Sequence, residues 1–366
     1  LLAVLGVGVV VVLVGSRVVT DRYEWSQWVW WVPAGWFVVM GWGLLVGSLF
    51  CWIMSRRRGG SRRGAALRWV LLIGCLGMMM YVAFGVRRWQ NVIGGYGIHW
   101  TRVLENGRVR VLHWNLSAGK VDVERFMGWV NESHADVILI ANARWDGQRG
   151  ELIEGLEGVF GEGWTVRRVL RGVVVSRFEI LEMSTVTVSA SGGEGVDDDA
   201  MRATGDFGWV VKMSLDGGDR FGEFGVWFVD LPSEPTVHRM ESMGRVVESL
   251  RVEGRDERPA LKPALIIGDF NTVRGSASLG LFDEFDSGDG YVDAFDARGA
   301  LGGSWRPTGL TGLQGWAAGR SSWHIDLSLV GNGWWVDGYE LLMPDGAVWG
   351  EGVSHKAQVV DIFQID

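Results

Sequence analysis

Residues 28–54 read WVWWVPAGWFVVMGWGLLVGSLFCWIM, 27 positions without one charged side chain. As a helix rising ~1.5 Å per residue, such a run crosses a hydrocarbon core of ~30 Å. Residues 69–86, WVLLIGCLGMMMYVAFGV, form a second uncharged run of 18. Residues 1–15 form a third and shorter run, which reads as a further span or as the apolar part of a signal peptide. It has no basic leading region and no clear small-residue cleavage site. A buried helix of a water-soluble core is the alternative for the two long runs. The pattern predicts a membrane anchor of two to three transmembrane helices over residues 1–88.

Between the long runs lies a basic loop, residues 55–68, that carries Arg56, Arg57, Arg58, Arg62, Arg63 and Arg68. Cytoplasmic loops are enriched in Arg and Lys, so this loop is predicted in the cytoplasm and residue 87 onward on the extracytoplasmic side. Trp28, Trp30, Trp31 and Trp89 then fall at the outer interface, and Trp52 and Trp69 at the inner one, as an aromatic belt requires. A nucleic-acid patch is the competing reading of the arginines. Neither long run contains an intramembrane charge, which leaves a transporter or channel without a visible path.

Charge divides the chain in the same place. Residues 1–88 hold 10 Lys and Arg against 2 Asp and Glu, a net +8, while residues 89–366 hold 25 against 41, a net −16. An acidic domain makes few phosphate-backbone contacts, so tight duplex nucleic-acid binding is not expected. The only cysteines, Cys51 and Cys75, lie in the apolar runs. That excludes a disulfide framework or a Cys-type zinc site from the C-terminal part.

After a linker over 89–107, short β-branched runs alternate with amphipathic stretches. Strands are predicted at 108–114, 137–141, 172–176, 209–215, 225–230, 264–268 and 325–330. Helices are predicted at 121–133 and 236–252. In the second helix Met240, Met243, Val246, Val247 and Leu250 recur at helical spacing, as a core face does. This alternation over 108–366 predicts an α/β or α+β domain large enough for its own core. SASGGEGVDDDA (189–200) reads as a solvated acidic loop.

Several predicted strands end in a polar residue. VRVLHWN ends in Asn115, and ALIIGDFN carries Asp269 and Asn271. SWHIDLSLV carries Asp326, and GEGVSHKAQVV carries His355. Polar groups at strand ends gather at the rim of a sheet. Taken singly, each is also a common turn or cap residue. In this order, with GVVVSRFEI at 172–180 and VWFVDLPSEPTVHRMESMGRVVESL at 226–250, they resemble the endonuclease/exonuclease/phosphatase superfamily, the deoxyribonuclease I-like fold. The resemblance covers roughly 108–363.

That resemblance implies a four-layer α/β sandwich of two packed β-sheets flanked by helices, preceded here by the transmembrane helices. It implies a metal-dependent phosphoesterase, with Mg2+ or Mn2+ assisting in-line attack of water on phosphorus. Asp269 would orient or deprotonate the water, and Asn115 and Asn271 would hold phosphate or metal-bound groups. His355 would stabilise a non-bridging oxygen, with Asp326 fixing its tautomer and raising its pKa. The metal would lie at Asn115, Asn142 and Asp269.

Three positions depart from the family pattern. Asn142 stands where the family has a metal-binding Glu, Asp230 where it has a His, and Ser354 where it has an Asp. An amide and a hydroxyl hold a hard cation less tightly than carboxylates do. Asp146 or Asp230 is a candidate to compensate. The expected function is a membrane-anchored phosphodiesterase, phosphatase or nuclease acting on a phosphate ester. The alternative is a catalytically impaired binding module of the same fold. His99, His113, His134, His238 and His324 are read as structural or surface residues, and Arg177 and Arg239 as structural ion-pair partners rather than catalytic groups.

Overall fold

The computed structural model describes residues 107–117, 121–143, 148–189, 207–233, 237–253, 262–274, 276–283, 290–298, 324–342 and 355–365. It also describes residues 19–23, 26 and 27 and a few isolated positions before residue 75. Apart from such positions, the apolar runs at 1–15, 28–54 and 69–86 lie outside the described residues, as do the basic loop, the linker but for Gly107, Asp146, His99 and Ser354. Among the described residues no helix is long and apolar enough to cross a membrane.

The chain alternates strand and helix. Strand β1 (Arg108–Asn115) leads through helix α1 (Val123–Glu132) to β2 (Val137–Ala141) and helix α2 (Gln148–Phe160). Then come β3 (Thr165–Val169), β4 (Gly172–Ser176), β5 (Glu179–Ser189), β6 (Phe207–Asp216) and β7 (Glu223–Asp230). Helix α3 (Arg239–Glu253) precedes β8 (Pro263–Asp269). Strands β9 (Val292–Asp293), β10 (Asp326–Val330), β11 (Trp334–Leu342) and β12 (Ala357–Gln364) complete the domain. Two six-stranded mixed sheets result, ordered β11-β12-β1-β2-β4-β3 and β5-β6-β7-β8-β10-β9.

All seven predicted strands and both predicted helices are present, with ends displaced by three residues or fewer. Strands β3, β5, β9, β11 and β12 and helix α2 were not anticipated. Several of these are half-exposed edge or solvent-facing strands, such as β3 and β11, whose mixed composition carries little alternation.

Packing divides each inner strand by parity, because successive side chains point to opposite faces. From β1, Val109 and Val111 enter the core between the sheets, with Val137 and Leu139 of β2, Val226 and Phe228 of β7, and Leu265 and Ile267 of β8. The alternate residues Leu112, Trp114, Ile138 and Ile140 face α1 and α2, against Phe126, Met127, Val130, Leu152 and Leu156. On the other sheet Trp227, Val229 and Ile266 face Met243, Val246 and Val247 of α3, three members of the expected apolar face. Helix, sheet, sheet and helix make the four layers implied by the resemblance.

Candidate active site

The parity that fills the inter-sheet core also builds the site. Asn115 follows Val109, Val111 and His113 on the inward face of β1, at its C-terminal end. Asp230 occupies the same position on β7 and Asp269 on β8. These parallel strands pair Asp230 with Asp269, and antiparallel β10 pairs Asp326 with Asp269. Three buried carboxylates therefore lie in one row across adjacent strands. From the facing sheet come Asn115, Asn142 immediately after β2, and His355 just before β12.

Hydrogen bonds join them. Asn115 Nδ2 donates to Asp269 Oδ2 at 2.7 Å, and Asn115 Oδ1 accepts from the Ser117 amide at 2.8 Å. Asn142 Nδ2 lies 3.2 Å from Asn115 Oδ1 and 3.3 Å from Asp230 Oδ1. Asn142 has φ 51°, a left-handed turn that re-aims its side chain after the strand. The Asn271 amide donates to Asp269 Oδ1 at 2.8 Å, while its Nδ2 donates to the Leu231 carbonyl at 2.7 Å. Asn271 thus ties the loop after β7 to the loop after β8. His355 Nδ1 lies 2.9 Å from Asp326 Oδ2, and its Nε2 lies 3.7 Å from Asp269 Oδ2. Trp114 Nε1 donates to the His355 carbonyl at 2.9 Å and anchors the backbone there.

Electrostatics follow from burial. Burial favours the neutral form of Asp230 and Asp269 and raises both; each also feels the negative charge of a neighbouring carboxylate, Asp269 for the first and Asp326 for the second. For His355 burial opposes the charge, but Asp326, Asp269 and Asp230 outweigh it and raise the imidazole to about 9. The acidic groups around His355 thus favour its charged form against the cost of burial.

The structure brings together Asn115, Asn142, Asp269, Asn271, Asp326 and His355. Asp230, marked in the sequence as a departure and as a candidate to compensate for it, joins them in register. Arg171 was missed: it follows β3 in the turn before β4, and its charge acts on Asp230. Nothing in its sequence context marks it. Arg177 pairs with Asp136 at 2.9 Å, as expected of a structural ion-pair partner, while Arg239 is wholly buried and donates to the Pro232 carbonyl. His113 and His324 are also buried, and both are lowered to about 4 by burial.

The donor set fits a hard divalent cation. Such ions take oxygen ligands, and Asp230, Asp269, Asn115 and Asn142 all carry them. The two carboxylates repel one another in a buried setting, which a cation relieves. One oxygen each of Asp269 and Asp326 and a ring nitrogen of His355 also lie within 4.8 Å of one another. In that group His355 already supplies the positive charge.

A family profile described as the endonuclease/exonuclease/phosphatase family matches residues 112–350. The chain belongs to this family. Solved structures agree on the fold. An endonuclease/exonuclease/phosphatase family protein from Bacteroides thetaiotaomicron is 17% identical, with a TM-score of 0.50 over 71% of this chain and 99% of its own. A conserved protein of unknown function from Enterococcus faecalis is 14% identical, with a TM-score of 0.51 over 70% of this chain and 100% of its own. The human Nocturnin catalytic domain, solved with a bound sulfate anion, is 12% identical, with a TM-score of 0.50 over 70% of this chain and 95% of its own. No curated protein sequence matches the chain significantly. In this chain Asp326 pairs with His355, and Asn142 and Asp230 lie side by side.

Proposed function

We propose that this protein is a membrane-anchored, metal-dependent phosphoesterase that hydrolyses a P–O bond by in-line attack of water. The observation that carries the reading is the row Asp230, Asp269 and Asp326 facing Asn115, Asn142 and His355. Acidic and cationic groups there converge on one buried point. A tetrahedral anion also accompanies the Nocturnin catalytic domain.

Each residue has a role set by its partners. Asp269, held by Asn115 and by the Asn271 amide, is oriented to accept a proton from the attacking water. His355 presents Nε2–H toward the oxygen on which charge grows, because Asp326 occupies Nδ1. Asp230, Asp269, Asn115 and Asn142 would hold Mg2+ or Mn2+, which when bound polarises the phosphoryl group. The substitution of Asn142 for a carboxylate is partly offset by Asp230, which its amide touches.

Hydrolysis of bis-(p-nitrophenyl) phosphate by the full chain in detergent tests this, with magnesium, manganese or EDTA. Metal-dependent turnover is expected, reduced at least ~10²-fold in Asp269→Ala and in His355→Ala. The amide at Asn142 favours a second reading, a binding module of this fold without activity. A folded chain that neither turns over substrate nor binds either metal by calorimetry replaces the first reading with the second.

A further inference from the structure

Residues 19–23, 26 and 27 precede the domain by some eighty positions, yet they pack on it. Thr20, Asp21, Ser26 and Gln27 are 7%, 0%, 0% and 2% exposed. The segment is locally ordered: the Ser26 and Gln27 amides both donate to the Tyr23 carbonyl at 3.0 Å, and Ser26 Oγ donates to the same oxygen at 2.9 Å.

Its outward contacts fall on two helical starts. Thr20 Oγ1 accepts from the Ala277 amide at 2.9 Å, and Asp21 accepts from both the Ser278 amide and the Ser278 hydroxyl. Ala277 opens the single 3-10 turn Ala277–Leu279, whose own Ser276 side chain makes no cap. Gln27 Oε1 accepts from the Arg239 amide, the first of α3, at 3.1 Å, and its Nε2 donates to the Val237 carbonyl at 2.9 Å. The first amides of a helix have no partner within it, so an acceptor from elsewhere stabilises them. Here it comes from more than 200 residues away in sequence.

Those two starts end the loops that leave the catalytic strands. The loop after Asp230 runs through Leu231 and Pro232 to α3, and Arg239 Nη1 donates back to the Pro232 carbonyl. The loop after Asp269 runs through Asn271 to Ala277. The N-terminal segment thus bridges the far ends of both loops, while Asn271 bridges their near ends.

We propose that residues 19–23, 26 and 27 form an intrachain strap that docks on the domain and positions the loops carrying Asp230 and Asp269. It follows that the strap and the domain share one side of the membrane, so the chain between them crosses it an even number of times. The catalytic part of this inference rests on the phosphoesterase reading. The docking does not, and the topology rests only on the membrane-anchored part of that reading.

Three measurements on the full chain test it. With Cys51 and Cys75 replaced by Ala, the Asp21→Cys/Ser278→Cys pair should form a disulfide under mild oxidation. Single Arg22→Cys and Glu154→Cys variants, both at exposed positions, should react with a membrane-impermeant thiol reagent from the same side of sealed vesicles. Asp21→Ala should lower kcat roughly tenfold with KM little changed, because a small misplacement of reacting groups acts on turnover. Asp21→Asn, an equally good helix cap, should restore it. Reaction of the two single cysteines from opposite sides, or no cross-link in a chain that stays folded, overturns the docking. A cross-link together with an unchanged kcat in Asp21→Ala overturns the positioning role. If the unaltered chain has no activity, the phosphoesterase reading fails while labelling and cross-linking still decide the strap.

Discussion

At the scale of single residues, the site depends on how three buried carboxylates are held apart in role. Asp326 engages His355 Nδ1 and stabilises its charge. Asp269 is held by amide donors, and Asp230 by Asn142 and the nearby charge of Arg171. Asp326→Asn keeps an acceptor for Nδ1–H but removes the charge that favours the imidazolium. The expected result is a kcat at least ~10²-fold lower in steady-state hydrolysis, with the fold and melting temperature retained. Asp269, Asn271, Asp326 and His355 were legible in the sequence because each stands beside an apolar strand in a short motif. Asp230 was legible as a departure and as a candidate to compensate for it, without its register, and Arg171 not at all. The importance of these two comes from a neighbour on another strand, which no local pattern encodes.

At the scale of elements, a period of two places the chemistry. His113 and Asn115 of β1, Asp269 of β8, and Asp326 and Ser328 of β10 all point inward because the core residues two positions away do. The turn after β8 needs one further condition. Gly268 has φ +154°, and a Cβ there would lie 1.8 Å from the Val229 carbonyl oxygen. Only glycine lets β7 and β8 approach closely enough to align Asp230 with Asp269. Gly268→Ala should cost ~3 kcal/mol or more of unfolding free energy in denaturant titration, since backbone rather than a flexible side chain must move. Its residual activity should fall too, as the two carboxylates leave register. Seven of the eight central strands were readable because both their faces are apolar; β12 was not, because Gln358 and Asp361 interrupt its apolar run. Edge strands such as β3 and β11 were not, because exposure on one side leaves their composition mixed.

At the scale of the whole molecule, the inter-sheet space carries polar groups behind the site. Gln358 of β12 lies 2.9 Å from His113 Nδ1 through Nε2, and accepts from Ser328 at 2.7 Å and from Tyr339 at 3.2 Å. His324 lies beside this group, its ring centroid 4.3 Å from that of Phe295. Burial lowers His324 to about 4. The charges of Asp293 and Asp326 act in the opposite sense to burial, and those of Arg274 and Lys356 reinforce it. A histidine whose folded pKa is depressed contributes stability above its unfolded value of ~6.5 and loses it as pH falls toward the folded one. Relative to His324→Phe, the wild-type unfolding free energy should therefore drop by up to ~3 kcal/mol between pH 7 and pH 4. Comparing the two proteins by chemical denaturation at each pH cancels the opposite contributions of Asp230 and Asp269.

By itself the sequence determined seven of the strands and two of the helices, a set of candidate site residues, and which family supplies the pattern. Those are local properties: periodicity, strand-end polarity and short motifs act over a few residues. Tertiary structure alone decided that Asp230 stands in register with Asp269, that Asn142 reaches both Asn115 and Asp230, and that Gln27 and Thr20 cap the helical starts at positions 239 and 277. Each of these joins groups far apart in the chain. Strand register, a left-handed turn and the demand of orphan amides for an acceptor determine them, and such demands are met in three dimensions rather than along the sequence.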